Sequence, residues 1–128
     1  VVLTPEPTSL TDAYARIKVL KLRHGVERFR VLINMSPDEK NAKSIFARLH
    51  AACDHFLDGV SLGYMGFIPR DTMVRKAVVS QTPFTVASPD CPASQAMKQI
   101  AASVQNWEAP ENLDGNIKFF WKKLLFRS

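Results

Sequence analysis

Three short apolar runs, each followed at once by a helix-start signal, restrict this chain more than any other feature. Val1–Thr4 stops at Pro5, Arg28–Met35 ("RFRVLINM") runs into "SPDEK", and Val60–Ile68 ("VSLGYMGFI") runs into "PRD". Continuous apolar runs, as opposed to alternating ones, suit parallel strands buried on both faces. Ser9 and Asp12 have the S-x-x-D spacing of an N-terminal cap, which predicts a helix from about Leu10. Its apolar face would comprise Leu10, Ala13, Tyr14, Ile17, Val19, Leu20 and Leu22, with Gly25 as the stop. A second helix is expected with Ser36 as cap, Pro37 in its first turn, Glu39 three residues after Ser36, and Gly59 closing it. A third starts at or just after Asp71. "TPFTVASPDCP" reads as irregular, and Pro92 opens a further helix to about Trp107.

Strand–helix alternation in this order predicts right-handed crossovers and an α/β fold, a parallel sheet with flanking helices. Three strands make a thin sheet, and one edge would be a long, apolar, unpaired strand. The chain therefore reads as the second half of a doubly wound domain. Its 128 residues are one domain's worth or less, and 46% hydrophobic content suits a globular core. No apolar run approaches the roughly 18 residues of a membrane span. Cys53 and Cys91 make no disulfide framework, and free thiols in a reducing cytoplasm are expected.

Charge is unevenly placed. Residues 1–115 carry 13 bases and 12 acids, whereas Lys118, Lys122, Lys123 and Arg127 follow with no acid. A nearly neutral body argues against direct nucleic-acid binding, and a basic tail argues for a partner of its own. Within the tail, Ile117, Phe120, Trp121, Leu124 and Leu125 share one helical stripe beside Lys118 and Lys122. Such a helix suits an anionic membrane surface, and it equally suits docking on its own sheet or on a partner subunit. The expected organisation is a body over 1–107, a linker over 108–115 and a basic amphipathic helix over 116–128.

In parallel α/β sheets ligands bind beyond the carboxyl ends of the strands. Glu6, Asn34, and Arg70 with Asp71 fall on that rim. Asn can pair with a purine edge, donating and accepting at once, while turn and cap roles are the ordinary use of Asn and Asp at strand ends. "HAACDH" puts His50, Cys53 and Asp54 on one helix face. No second cluster or fourth ligand accompanies them, so no metal site is expected and a buried Cys53 is preferred. Cys91 reads as a helix-start residue, and no catalytic set can be argued from spacing.

"TPEPTSLTDAYARIK", "VLINM", "LGYMGFIPRDTMVRKAV" and "SPDCPASQAMKQIA" resemble, in order and spacing, the C-terminal half of the MinD/ParA-like (deviant Walker-A) ATPases. Within that family they look most like the FleN/FlhG flagellar-number regulators. The resemblance covers residues 1 to about 105. It implies a P-loop NTPase-like half-domain whose base-binding residues are Asn34, Pro69, Arg70, Asp71 and Val74. It places Thr4, Glu6 and Asp12 near a nucleotide-dependent dimer interface. It further implies ATP/ADP and Mg in a full-length parent, a homodimer, a transcriptional activator or flagellar protein as partner, and a bacterial cytoplasmic location, peripheral on the inner membrane if the tail binds lipid. The amphipathic tail agrees with the membrane helix of MinD-like proteins.

One departure is decisive for chemistry. None of the five glycines precedes a Lys-Ser/Thr pair, so no phosphate loop exists in this chain. The chain alone is expected neither to bind nucleotide tightly nor to hydrolyse ATP. Two alternatives stay open: a non-catalytic module that binds a partner and membrane, and a member of the CobQ/CobB (cobyrinic acid a,c-diamide synthase-like) branch, which usually carries an amidotransferase domain not seen here. A second copy of this chain pairing with the exposed strand edge would give a dimer by strand exchange.

Overall fold

The computed structural model describes residues 1–107. The expected linker at 108–115 and basic helix at 116–128, with Ile117, Lys118, Phe120, Trp121, Lys122, Leu124 and Leu125, lie outside the described residues. The elements are β1 (Val2–Leu3), α1 (Pro7–His24), β2 (Arg28–Ser36), α2 (Glu39–Phe56), β3 (Ser61–Pro69), α3 (Thr72–Val79), α4 (Phe84–Ala87) and α5 (Pro92–Val104). The strands form one parallel sheet in the order β1-β2-β3, with Leu3 opposite Ile33 and Ile33 opposite Phe67. The fold is the expected α/β arrangement of a P-loop NTPase-like half-domain.

Strand β2 explains the two-layer build. Val31 and Ile33 are fully buried against α1 and α2, in a core with Leu3, Ala13, Ile17, Ala42, Ile45, Leu49 and Cys53. Leu32, between them, points to the opposite face and joins Ile68, Ala93 and Ile100, with Met73 and Val74 packed alongside. A period of two sends neighbouring residues to opposite faces, so the doubly covered middle of β2, Val31–Ile33, is apolar at every position, while Arg28 and Arg30 at its start are exposed. At the far end of α5, the Arg30 guanidinium lies 4.3 Å from the centroid of the Trp107 ring, tying the last described turn back to the start of β2.

Several helix boundaries differ from expectation. Helix α1 begins at Pro7, not near Leu10, because proline pre-sets the helical φ and has no N–H to satisfy in a first turn. Ser9 therefore lies inside the helix, and its hydroxyl accepts from the Thr4 N–H at 2.8 Å. The Ser9–Asp12 spacing is no cap. Gly25 does end α1, at φ 67°, with Gly25 N–H bonded to Lys21 O and Val26 N–H to Leu20 O. Val19 and Leu22 sit off the i, i+3, i+4, i+7 stripe through Ala13 and Ile17 and are exposed.

Helix α2 is capped by Asp38, whose carboxylate accepts from Asn41 N–H at 2.7 Å. Ser36, the expected cap, is instead the fully buried last residue of β2, its hydroxyl donating to Asp38 O at 2.7 Å. The helix ends at Phe56, ahead of Gly59, and the irregular "TPFTVASPDCP" contains the short α4. No helix among the described residues is long and apolar enough to cross a membrane.

Candidate functional site

The carboxyl ends of β2 and β3 lie side by side, and the chain builds a rim there. Strand β2 carries a bulge between Ile33 and Ser36: these two pair with Phe67 and Pro69, so Asn34 and Met35 face the single residue Ile68. Met35 takes φ 58°, a left-handed backbone that a side chain without local hydrogen-bonding groups disfavours. The Asn34 side chain supports that turn, its Oδ1 accepting from the Met35 N–H at 2.9 Å. The Asn34 Nδ2 group has no partner among the described residues. Asn34 is half-buried and Met35 is 50% exposed.

The ladder resumes past the bulge, where Arg70 N–H donates to Ser36 O at 2.8 Å. This bond fixes the Pro69–Arg70 segment against the end of β2 and leaves the Arg70 side chain exposed. Val74 lies one turn into α3, half-buried against the second core.

Asp71 holds the segment from the other side. Its Oδ1 accepts from Met73 N–H at 2.9 Å, capping α3, and its Oδ2 accepts from Ala93 N–H at 3.1 Å, capping α5. One carboxylate thus satisfies the first turns of two helices. Cys91 precedes Pro92 as the N-cap of α5, and Ser94 anchors the turn through its hydroxyl to Ser88 O at 2.6 Å. Hydrogen bonds from Met73 N–H and then Ala93 N–H hold the Asp71 carboxyl below its ordinary range, with the Cys91 thiol assisting. A depressed folded-state pKa means that the unfolded chain takes up the proton first. The contribution of Asp71 is therefore fully present above the ordinary carboxylate range and is lost as pH falls through its lowered value. Asp71→Ala should reduce the thermal midpoint at pH 7 and flatten its decline between pH 5 and 3, as read by circular dichroism.

On the β1 side, Thr4 is half-buried and engaged through its N–H by Ser9, Glu6 is the exposed N-cap residue of α1 with no side-chain cap bond, and Asp12 is exposed on α1. Cys53 is buried in the first core, where desolvation pushes its thiol up, and no cluster of three metal-ligating residues occurs among the described residues. A cleft of about 480 Å³ opens along the outer edge of β3, between Glu39, Tyr64 and the Gln95–Ser103 face of α5. It reaches the rim only at Pro69 and Pro92, and neither Asn34 nor Arg70 lines it. It is a groove beside α5 along a strand edge that is unpaired among the described residues. Met35, Ser36 and the Ala93 N–H are rim components that the sequence reading missed. The signal available for the first two was the polar-apolar-polar "NMS" that follows the apolar "VLI".

What the rim can do chemically is limited. Asn34 offers an amide donor next in sequence to the apolar Met35, and Arg70 N–H holds the Pro69–Arg70 backbone on Ser36 at the end of β2. An amide donor and an apolar side chain are groups of the kind that meet the edge and face of a flat heterocycle. They do not fit its phosphates or a magnesium ion, for which the chain supplies no glycine-rich loop.

No family model matches the chain. Antiactivator FleN of Pseudomonas aeruginosa is 46% identical over 124 residues, covering 97% of this chain and 44% of that protein. The flagellum site-determining protein YlxH of Helicobacter pylori is 29% identical over 128 residues, 98% of this chain and 43% of its own. An uncharacterised ATP-binding protein of Methanocaldococcus jannaschii is 32% identical over 104 residues, 81% of this chain and 36% of its own. The chain spans less than half the length of these curated relatives. Its parallel half-sheet and these similarities agree with the motif resemblance: along nearly its whole length the chain is similar to part of a FleN-type protein, as the C-terminal half of a MinD/ParA-like ATPase would be.

Proposed function

We propose that this chain is the base-binding half of a MinD/ParA-type, ATP-dependent dimerising switch that regulates flagellar number or synthesis by binding a transcriptional activator. The observation that carries the reading is the ordered rim at the carboxyl ends of β2 and β3, in a chain similar over 97% of its length to an antiactivator. Asn34 contacts the adenine edge. Pro69, Arg70 and Val74 enclose the ring, and Asp71 fixes that segment. Thr4, Glu6 and Asp12 lie toward the subunit that dimerises across the nucleotide. The phosphates and Mg are held by a half of the parent that this chain does not contain, which supplies the hydrolytic chemistry. The basic segment 116–128 associates with the anionic inner face of the bacterial membrane, leaving the protein cytoplasmic and peripheral.

The full-length protein should run as a monomer without nucleotide and as a dimer with ATP in size-exclusion chromatography with light scattering. With anionic vesicles the ATP form should float, and removal of residues 116–128 should abolish flotation while leaving the dimer. A dimer that forms equally without ATP would defeat the switch. It would favour the alternative of a non-catalytic binding module paired through the free edge of β3.

A further inference from the structure

Met35 is the one residue of the rim whose conformation is strained and whose side chain is left to solvent. A left-handed backbone at a residue other than Gly, Asn or Asp is disfavoured and persists only where its surroundings impose it. Here the bulge, the Asn34 Oδ1 bond and the Ser36–Arg70 bond impose it together. An unbulged strand would alternate strictly, placing Met35 on the α1/α2 face with Ile33 and turning Ser36 to the opposite face. The bulge instead buries Ser36 completely and leaves Met35 50% exposed, its N–H bonded to the Asn34 amide oxygen. Burial among the described residues therefore does not account for a large apolar side chain at this position.

From this we infer that Met35 is a specificity-determining residue of the rim, its thioether forming an apolar platform for the face of the purine whose edge Asn34 contacts. The inference rests on the base-binding reading of Asn34 and adds a second, face-on contact to it. Sulfur packs favourably against aromatic rings, and methionine adapts its three torsions to a flat surface. The edge contact selects by hydrogen-bond pattern and the platform by ring area. A purine nucleotide should thus depend on Met35 more than a pyrimidine nucleotide does.

The test uses the full-length protein with ATP and CTP as probes, read by isothermal titration. Met35→Gly removes the side chain while giving the left-handed backbone the residue that adopts it most readily. Its thermal midpoint without nucleotide should stay within a few degrees of the parent or rise. Its affinity for ATP should fall roughly three- to ten-fold, with affinity for CTP changed by less. Met35→Leu keeps the apolar bulk and should restore most of the ATP affinity. Asn34→Asp is run beside them to distinguish the two failures. If Asn34→Asp weakens ATP and Met35→Gly does not, the platform is wrong and the edge contact stands. If neither variant changes ATP binding, the base-binding reading fails and the platform with it.

Discussion

Leu49→Ala should destabilise the protein by about 2–5 kcal/mol. Leu49 is fully buried in the middle of α2, in the core it shares with Leu3, Val31 and Ile33. Truncation removes three heavy atoms from a site walled by the sheet on one side and α1 on the other, where neighbouring backbones cannot close the void. Domains of this size are stable by only about 5–15 kcal/mol, so the change consumes a large part of the margin. The midpoint of thermal unfolding should drop by roughly 10–20 °C. Leu49→Met, which conserves volume, should cost less than about 1.5 kcal/mol. An alanine variant within about 1 kcal/mol of the parent would mean that α2 does not seal the sheet as described.

Asn34→Asp should weaken adenine-nucleotide binding by the full-length protein about ten-fold or more, on the order of 1.4 kcal/mol or above. The substitution is chosen for what it preserves. Aspartate keeps an oxygen to accept the Met35 N–H, so the turn at φ 58° retains its support. It replaces the free Nδ2 donor with a second acceptor, which meets a ring nitrogen lone pair with repulsion and leaves buried polar groups unmatched. The unfolding midpoint should consequently stay close to that of the parent while the dissociation constant rises. Asn34→Ala removes both roles and should lower the midpoint and raise the dissociation constant. Unchanged nucleotide affinity in Asn34→Asp would show that the amide only serves the turn.

Local chemistry made most of the sheet legible from sequence. Arg28–Met35 and Val60–Ile68 each carry an apolar stretch short enough to read as a strand, and burial on both faces is reached only at Val31–Ile33 of β2. Pro92 and Asp71 marked helix starts because their preferences are intrinsic. The errors arose where two local signals competed. Pro7 and the Ser9–Asp12 pair both announce a helix, and proline decided the start because its φ is fixed whereas the serine hydroxyl has other acceptors and donors to choose from. Ser36 and Asp38 both suit a cap, and the strand claimed Ser36 because its carbonyl is needed by Arg70. The rim's positions were legible as polar residues at strand ends. Its wiring was not: the second acceptor bond of Asp71 reaches a residue 22 positions away, and nothing in the word "NMS" announces a left-handed methionine.

Strand β2 behaves as a keel. Val31 and Ile33 face one layer of helices and Leu32 faces the other, so a single stretch of backbone is the wall of both cores. Neither layer can loosen while the other keeps its shape, because the residues that would be exposed are immediate neighbours in the chain. The molecule is thereby denied a half-folded resting state in which one set of helices peels away from an intact sheet. The two cores should therefore melt in one transition, read as coincident curves by near- and far-UV circular dichroism.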